Sequence, residues 1–208
     1  MTSLVRAFWI ICNRVLFKLK GISFGKRLKV CNKLYLSVDK DCTVLIGDGF
    51  VFSSGRNYNP LARNIKGSIS IEKGASLTIG RNVGISSCCL WIYDYLSIGN
   101  NTKIGADTII LDSDAHSIDY LLRRSPADRV NARKSGITIG SDVLIGTRCI
   151  ILKGVSIGDR TIIGSGSVVT KNIPADCIAA GNPCKVVKYL NFNKMNNNEG
   201  SICSDMSQ

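Results

Sequence analysis

The sequence predicts an all-β protein built as a parallel β-helix, because aliphatic residues recur at every sixth position. In the C-terminal half the series is unbroken and comprises Ile139, Ile145, Ile151, Ile157, Ile163 and Val169. Glycine follows at 140, 146, 158 and 164, and weaker copies of the pattern occur earlier, from Phe24-Gly25 to Ile104-Gly105. A period of six is neither helical nor simple strand alternation. It indicates a short strand plus a corner, repeated, with three such units closing one triangular coil.

The same period predicts the interior. Each aliphatic residue should point inward and stack on its counterpart 18 residues later, about 4.8 Å along the axis. Glycine fits a bend that a Cβ would crowd. Four positions after each aliphatic residue stands a residue that is mostly small or β-branched, as suits the narrow corner, namely Val143, Cys149, Val155, Thr161, Ser167 and Ile173. Residues 24–180 have room for about seven or eight coils. A β-sandwich of short strands is the alternative, but repeats in phase favour the β-helix.

Positive charge is concentrated at the N-terminus. The 208 residues carry a net charge of +12; residues 1–38 hold eight basic side chains and no acid, and the remainder 19 basic against 15 acidic ones. A nucleic-acid-binding body would spread its cations over a docking face. No apolar run reaches the roughly 20 residues of a bilayer span. The nine cysteines include no CxxC pair, and no signal peptide is recognisable, so we expect reduced thiols in a cytoplasmic protein.

Three segments are expected. Residues 1–21 form a basic apolar helix, residues 22–183 the β-helix, and residues 184–208 a short C-terminal helix with a disordered tail. The first segment has one apolar helical face, made of Leu4, Phe8, Ile11, Val15 and Leu19. Such a face beside cations suits contact with an anionic membrane. It equally suits a cap on the open end of the β-helix.

The stretch Ile137–Lys188, which ends in AAGNPCKVVK, resembles the C-terminal half of sugar O-acetyltransferases of the maltose and galactoside type. The resemblance to this hexapeptide-repeat acyltransferase family covers about residues 22–190. The start, NRVLFKLKGISFGKRLKV, is similar to acetyltransferases of surface-polysaccharide synthesis. The resemblance implies a left-handed parallel β-helix, acetyl-CoA as cosubstrate, and a homotrimer with the donor groove between subunits. It implies no metal site; carbonic anhydrases of this fold bind zinc with three histidines, and this chain has one.

That histidine, His116, ends an acidic stretch and directly precedes a segment that breaks the repeat, residues 117–136. In the resembled family a histidine at this place is the catalytic base. Imidazole suits removal of a proton from a sugar hydroxyl because it titrates near neutral pH. Asp114 is expected to orient the ring, with Asp112 as the alternative. A cysteine is the competing catalytic group, since Cys88, Cys89 or Cys149 could carry the acetyl group covalently.

The resemblance also assigns the substrate contacts. The donor contacts it implies are Gly146, Ser165, Thr170, Lys171, Lys185 and Lys188. Acceptor contacts are expected from Asp94 and from Ser87, which falls near the place of an Asn in galactoside-type enzymes. Where the family often has VWIG, this chain has Val143-Leu144-Ile145-Gly146. Specificity for maltose or a galactoside is therefore not carried over.

The predicted function is acetyl-CoA-dependent O-acetylation of a sugar hydroxyl in surface-polysaccharide synthesis. An N-acyltransferase acting on an amino sugar, or an antibiotic-modifying acetyltransferase, would use the same base. A non-enzymatic alternative is an inactive β-helix scaffold. A scaffold, however, need not keep a histidine beside a basic insertion.

Overall fold

The strands are short and lie in three sheets. The computed structural model describes residues 3–62 and 65–191. Numbered along the chain, the strands before residue 112 are β1 (Ser23–Phe24), β2 (Lys29–Cys31), β3 (Tyr35–Val38), β4 (Thr43–Ile46), β5 (Val51–Ser53), β6 (Ser68–Ile71), β7 (Ser76–Ile79), β8 (Gly84–Ser86), β9 (Cys89–Ile92), β10 (Tyr95–Ile98), β11 (Lys103–Ile104) and β12 (Ile109–Leu111). The later strands are β13 (Ile137–Ile139), β14 (Leu144–Ile145), β15 (Ile150–Leu152), β16 (Ser156–Ile157), β17 (Ile162–Ile163), β18 (Val168–Val169), β19 (Cys177–Ala180) and β20 (Lys185–Tyr189).

Successive strands join successive sheets and pair in parallel with the strand one coil away, so the chain winds as a parallel β-helix of triangular section. The first sheet has the order β1-β4-β7-β10-β13-β16, the second β2-β5-β8-β11-β14-β17-β19-β20, and the third β3-β6-β9-β12-β15-β18. Ile145 pairs with Ile163, and Ile151 pairs with Val169. The predicted stacking at intervals of 18 residues is therefore confirmed in the C-terminal half.

Two insertions interrupt this winding. The first insertion, residues 54–67, joins β5 to β6, and the second insertion, residues 112–136, joins β12 to β13. The described residues consequently complete six coils, and β19 begins a seventh. The predicted seven or eight coils are too many, because that prediction counts the residues of both insertions as part of the repeat. The first insertion was not expected, although the repeat loses its phase between Ile46 and Ile79.

The corners combine close approach with left-handed backbone at different positions. An added Cβ on Gly146 would lie 2.5 Å from the backbone nitrogen of Ser165 in the next coil. Glycine is needed there because the coils approach closely, whereas positive φ occurs two residues later, at Arg148 (φ 57°). The six corner residues from Val143 to Ile173 are buried as predicted, and the hydroxyl of Thr161 donates to the carbonyl oxygen of Pro174 at 2.7 Å.

The N-terminal helix, α1 (Ser3–Leu19), caps the first coil with one face. Phe17 on that face is fully buried, and the side-chain amide of Asn13 donates to the carbonyl oxygens of Val30 (3.0 Å) and Asn32 (2.9 Å). These contacts pair carbonyl groups that the open end of a solenoid would otherwise leave without partners. Among the described residues, no helix is long and apolar enough to cross a membrane.

The C-terminal end differs from the prediction. Residues Lys185–Tyr189 form β20, which pairs antiparallel with β19, where a short helix was expected to begin at residue 184. This strand covers the last coil of the second sheet, because its backbone supplies the hydrogen bonds that the edge of β19 would otherwise lack. The expected disordered tail falls on residues 192–208, which lie outside the described residues.

Candidate active site

His116 lies in the second insertion, and its ring is held by Asp128. Nδ1 of His116 lies 2.6 Å from Oδ2 of Asp128, and the backbone N–H of Ser117 donates to Oδ1 of the same carboxylate at 2.8 Å. The hydrogen bond from His116 makes the largest contribution to lowering the pKa of Asp128 below its ordinary value, and the hydrogen bond from Ser117 adds to it. An ionised carboxylate at Nδ1 favours the tautomer that carries its proton there. The lone pair of Nε2 is then free, on a side chain that is 59% exposed.

The two acids expected to orient the ring have other partners. Asp114 forms an ion pair with Lys153 of the following coil. Asp112 is buried, and its carboxylate accepts the backbone N–H groups of Tyr93 (2.7 Å) and Asp94 (2.8 Å). Burial raises the pKa of Asp112. Both residues therefore fix the second insertion to neighbouring coils, and the hydrogen bond assigned to Asp114 is made by Asp128 instead.

The second insertion folds along one corner of the β-helix, which we call the histidine corner. This corner follows the third sheet in each coil and carries His116, Asp94 and Lys153. Lys134 donates from Nζ to the carbonyl oxygen of Tyr93 at 2.9 Å. A cavity of about 570 Å³ lies between this insertion and the earlier coils, lined by Glu72, Lys73, Tyr93, Ser113, Arg129, Val130, Ala132 and Lys134. The second insertion thus extends over the earlier coils at the histidine corner.

A groove runs along the outer face of the second sheet and ends at a different corner, which we call the groove corner. It has a volume of about 350 Å³ and is lined mainly by glycines and apolar side chains of successive coils. Gly146 and Ser165, two of the residues expected to contact the donor, both line it, and Ser165 Oγ accepts the backbone N–H of Thr147 at 3.2 Å. Lys103 adds a cation, with Nζ donating to the carbonyl oxygen of Asn82 at 2.9 Å.

The other predicted donor contacts lie elsewhere. Thr170 and Lys171 follow β18 and so belong to the histidine corner, and both are exposed. Lys185 and Lys188 are exposed on β20, at the end of the second sheet. Within one chain, the predicted donor residues Gly146 and Ser165 therefore lie at the groove corner. Thr170 and Lys171 lie at the histidine corner, on the other side of the third sheet.

The predicted acceptor residues hold the insertions in place. Ser87 is 1% exposed, and its hydroxyl accepts the backbone N–H of Gly55 at 2.7 Å, which ties down the first insertion. A side chain this buried does not present its hydroxyl to an acceptor substrate. Asp94 is half-buried, and its Oδ2 accepts the backbone N–H of Gly136 at 3.0 Å at the end of the second insertion.

Three residues at these sites were missed from the sequence. Asp128 had a signal, because it is one of only two acids in residues 117–136. The sequence signals for Lys103 and Thr147 were weaker. Lys103 occupies the outward position that Leu144 takes in the next coil, and Thr147 directly follows Gly146.

Comparison with known proteins gives the chain a family. A family model described as bacterial transferase hexapeptide (six repeats) matches residues 136–171. Galactoside O-acetyltransferase of Escherichia coli K12 is 38% identical over 119 residues, covering 57% of this chain and 56% of that protein. Polysialic acid O-acetyltransferase of Escherichia coli O1:K1 / APEC is 41% identical over 126 residues, covering 60% of this chain and 40% of that protein. The chain thus spans about half the length of these curated relatives.

A solved structure extends the match. The crystal structure of the polySia specific acetyltransferase NeuO is similar with a TM-score of 0.50 and 31% identity, covering 81% of this chain and 75% of that one. This chain belongs to the bacterial transferase hexapeptide family. The left-handed β-helix that the resemblance implied is thereby confirmed for this hexapeptide transferase.

The cysteines of this hexapeptide transferase are poor nucleophiles where they are buried. Burial raises the pKa of Cys88 to about 12, and its thiol donates to the carbonyl oxygens of Ser86 and Gly105, both at 3.2 Å. Burial also raises the pKa of Cys149, which is fully buried. A thiol must ionise to attack a thioester, so both positions disfavour a covalent acetyl-enzyme. Cys89, partly exposed, is the remaining candidate of the three.

Proposed function

We propose that this hexapeptide transferase is an acetyl-CoA-dependent O-acetyltransferase that acts on a saccharide hydroxyl in surface-polysaccharide synthesis. The observation that carries the proposal is the exposed His116 ring, with Nδ1 on the ionised Asp128 and Nε2 free. The names of the relatives, a galactoside and a polysialic acid O-acetyltransferase, support a saccharide acceptor. The groove over Gly146 and Ser165 supports the donor assignment, because a narrow groove lined by glycine backbone and apolar side chains suits the pantetheine arm.

The residues divide the reaction as follows. Nε2 of His116 takes the proton of the acceptor hydroxyl while its oxygen bonds to the thioester carbonyl carbon. The carbon–sulfur bond breaks, and His116 returns the proton to the departing sulfur, so that the products are an acetyl ester and free thiol. Asp128 stabilises the imidazolium between the two proton transfers and keeps Nδ1 protonated. Lys171, Lys185 and Lys188 are the cations proposed for the donor phosphates.

The active form is a homotrimer, in which the histidine corner of one subunit faces the groove corner of the next. Two observations support this arrangement. His116, Thr170 and Lys171 lie across the third sheet from the groove of their own chain. The second insertion also exposes large apolar side chains that a neighbouring subunit would cover, with Ile118 58%, Tyr120 56%, Leu121 60% and Val130 86% exposed.

The proposed place of action is the cytoplasm, peripherally at the inner face of the membrane. The saccharides of surface polysaccharides are assembled there on lipid carriers, and the basic helix at residues 1–20 would bring the protein close to them. The charge of residues 1–38, with eight basic side chains and no acid, supports this position.

The test uses acetyl-CoA labelled in its acetyl group and a panel of neutral, sialylated and amino saccharides. The wild-type protein should esterify a hydroxyl of at least one acceptor, and His116→Ala should lower the turnover roughly 10²- to 10⁴-fold. Acetyl-CoA binding to this variant should survive, because His116 is not one of the proposed donor contacts. Acetylation confined to amino groups would contradict O-transfer. Wild-type turnover by His116→Ala would remove His116 as the base.

A mixing experiment tests the shared site. Ser165 is exposed in the groove, so Ser165→Trp should block the donor while leaving His116 of the same chain in place. Co-refolding this inactive variant with His116→Ala should restore activity at about a quarter of the sites, because subunits of a closed cyclic trimer mix at random. An active monomer in light scattering, or no recovery on mixing, would contradict the shared site.

A further inference from the structure

The outer face of α1 is an exposed apolar stripe. It lies on the opposite side of the helix from Asn13 and Phe17, which contact the first coil. The side chains of this stripe are Leu4 (82% exposed), Phe8 (59%), Ile11 (62%), Val15 (52%) and Leu19 (79%). The cap needs none of them, because the buried face of the helix already closes the core. Contiguous apolar surface left open by a folded chain indicates a partner.

A cationic pocket borders this stripe. A cavity of about 430 Å³ lies between α1 and the first coil, with Ile11, Val15 and Phe24 as its apolar lining. Its remaining lining includes four cations, namely Arg14, Lys18, Lys26 and Arg27. Arg14 donates from Nε to the carbonyl oxygen of Leu28 at 3.1 Å, which fixes its guanidinium at the edge of the cavity.

The charges of the pocket are not neutralised locally. In the chain from residue 3 to 62 and from 65 to 191, none of the four cations forms an ion pair with a carboxylate. Asp48 contacts the backbone of this region and not its cationic groups, since its Oδ1 accepts the backbone N–H of Lys26 at 2.7 Å. The pocket therefore combines open positive charge with an apolar wall continuous with the stripe.

We propose that this surface docks on a bilayer containing anionic phospholipid, with a lipid phosphate in the pocket and the stripe among the acyl chains. A phosphate joined to an apolar chain matches both halves of the site. A second copy of the chain fits less well, because two such faces would bring their cations together. The inference refines the membrane position in the proposed function, but it concerns binding alone and stands whether or not acetyl transfer is found.

The experiment compares sedimentation of the full-length protein with vesicles of phosphatidylcholine alone and of phosphatidylcholine mixed with phosphatidylglycerol. Binding should require the anionic lipid and weaken as salt is raised. Lys18→Glu/Lys26→Glu should lower the partition coefficient by at least roughly 20-fold, since each cation near an anionic surface contributes roughly fivefold. Phe8→Ser/Ile11→Ser should also abolish sedimentation. All four side chains are exposed, so thermal unfolding should remain near that of wild type.

Matched controls change the same residue types elsewhere. Lys40→Glu/Lys73→Glu and Val187→Ser/Tyr189→Ser alter exposed side chains that belong to neither the stripe nor the cationic pocket and should retain most of the binding. Equal loss in the control and helix pairs would overturn the proposal, as would equal binding to both kinds of vesicle. Concentration-dependent self-association that the Phe8→Ser/Ile11→Ser pair abolishes, without vesicle binding, would assign the stripe to a second copy instead. Inhibition of vesicle binding by millimolar inorganic phosphate alone would locate the site in a soluble phosphate pocket and contradict bilayer docking.

Discussion

The contact between His116 and Asp128 makes a sharp prediction for Asp128→Asn. The substitution keeps the size of the side chain but replaces one carboxylate oxygen, which accepts hydrogen bonds, with an NH₂ group, which donates them. If the amide oxygen continues to accept the Ser117 N–H, now at 2.8 Å, the NH₂ group faces Nδ1 of His116. The ring must then accept at Nδ1 and carry its proton on Nε2, which removes the base. If the amide turns round, its NH₂ group faces the N–H of Ser117, and that donor loses its acceptor.

The size of the effect follows from the hydrogen bond. Loss of a hydrogen bond to a charged group typically slows a step that depends on it by about one to two orders of magnitude. Asp128→Asn should therefore lower kcat about 10- to 150-fold. The KM for acetyl-CoA should stay near the wild-type value, because Asp128 is not one of the proposed donor contacts and acts on the ring of His116. The measurement is steady-state release of thiol from acetyl-CoA with a saturating acceptor.

The control is Asp119→Asn, which changes the other acid between residues 117 and 136. Asp119 accepts the backbone N–H of Leu121 at 2.8 Å at the start of the short helix α2 (Tyr120–Arg123), and asparagine serves equally well there. Its kcat should remain within about twofold of wild type. The double variant His116→Ala/Asp128→Asn should be no slower than His116→Ala, because Asp128 acts through the ring. A wild-type kcat for Asp128→Asn, or additive losses in the double variant, would refute the reasoning.

Three further results are expected. Asn13→Ala removes two hydrogen bonds to carbonyls of the first coil and should lower the free energy of unfolding by about 1–3 kcal/mol in a denaturant titration; a change within error would show that the cap does not depend on this amide. Gly146→Ala would bring a Cβ to 2.5 Å from the backbone nitrogen of Ser165, so its melting temperature should fall below that of Gly84→Ala, where the added Cβ meets only the flexible side chain of Lys103. Because the pKa of Asp128 is lowered in the fold, its stabilising contact is present above the ordinary aspartate pKa and is lost only as pH falls through the lowered value; carboxyl NMR shifts of Asp128 should titrate below those of an unfolded aspartate.

The periodic half of the molecule could be predicted because one physical constraint repeats in it. Every coil must bury an aliphatic residue at each side and admit its neighbour at each corner. The sequence therefore shows Ile145 and Ile163 at the spacing at which they pair, each followed by glycine. Gly146 and Ser165 could be assigned to a common groove for the same reason, because positions one coil apart stack. The predicted number of coils was wrong because the repeat is interrupted in residues 54–67 and 112–136.

The proposed catalytic arrangement could be predicted only in part, because the second insertion has no period. His116 was found because it is the one histidine of the chain. Its partner was sought among the nearest acids in sequence, but Asp112 and Asp114 emerge from the third sheet, where Tyr93 and Lys153 of adjacent coils already hold them. Asp128 reaches the ring because the chain turns back between residues 117 and 128, and that turn is set by contacts such as Arg123 with the carbonyl oxygen of Ser117 at 2.9 Å.

The two insertions explain how a repetitive scaffold comes to have one specific site. A stack of similar coils presents similar outward positions, as Lys103, Leu144 and Ile162 do in successive strands of the second sheet. Such a column can bind an extended chain but gives no coil a unique chemistry. The second insertion breaks this equivalence by placing a single imidazole at one level of the axis. In the proposed trimer that level faces the groove of a neighbouring subunit, so acceptor choice should depend on residues of the second insertion and of that subunit more than on the repeat itself.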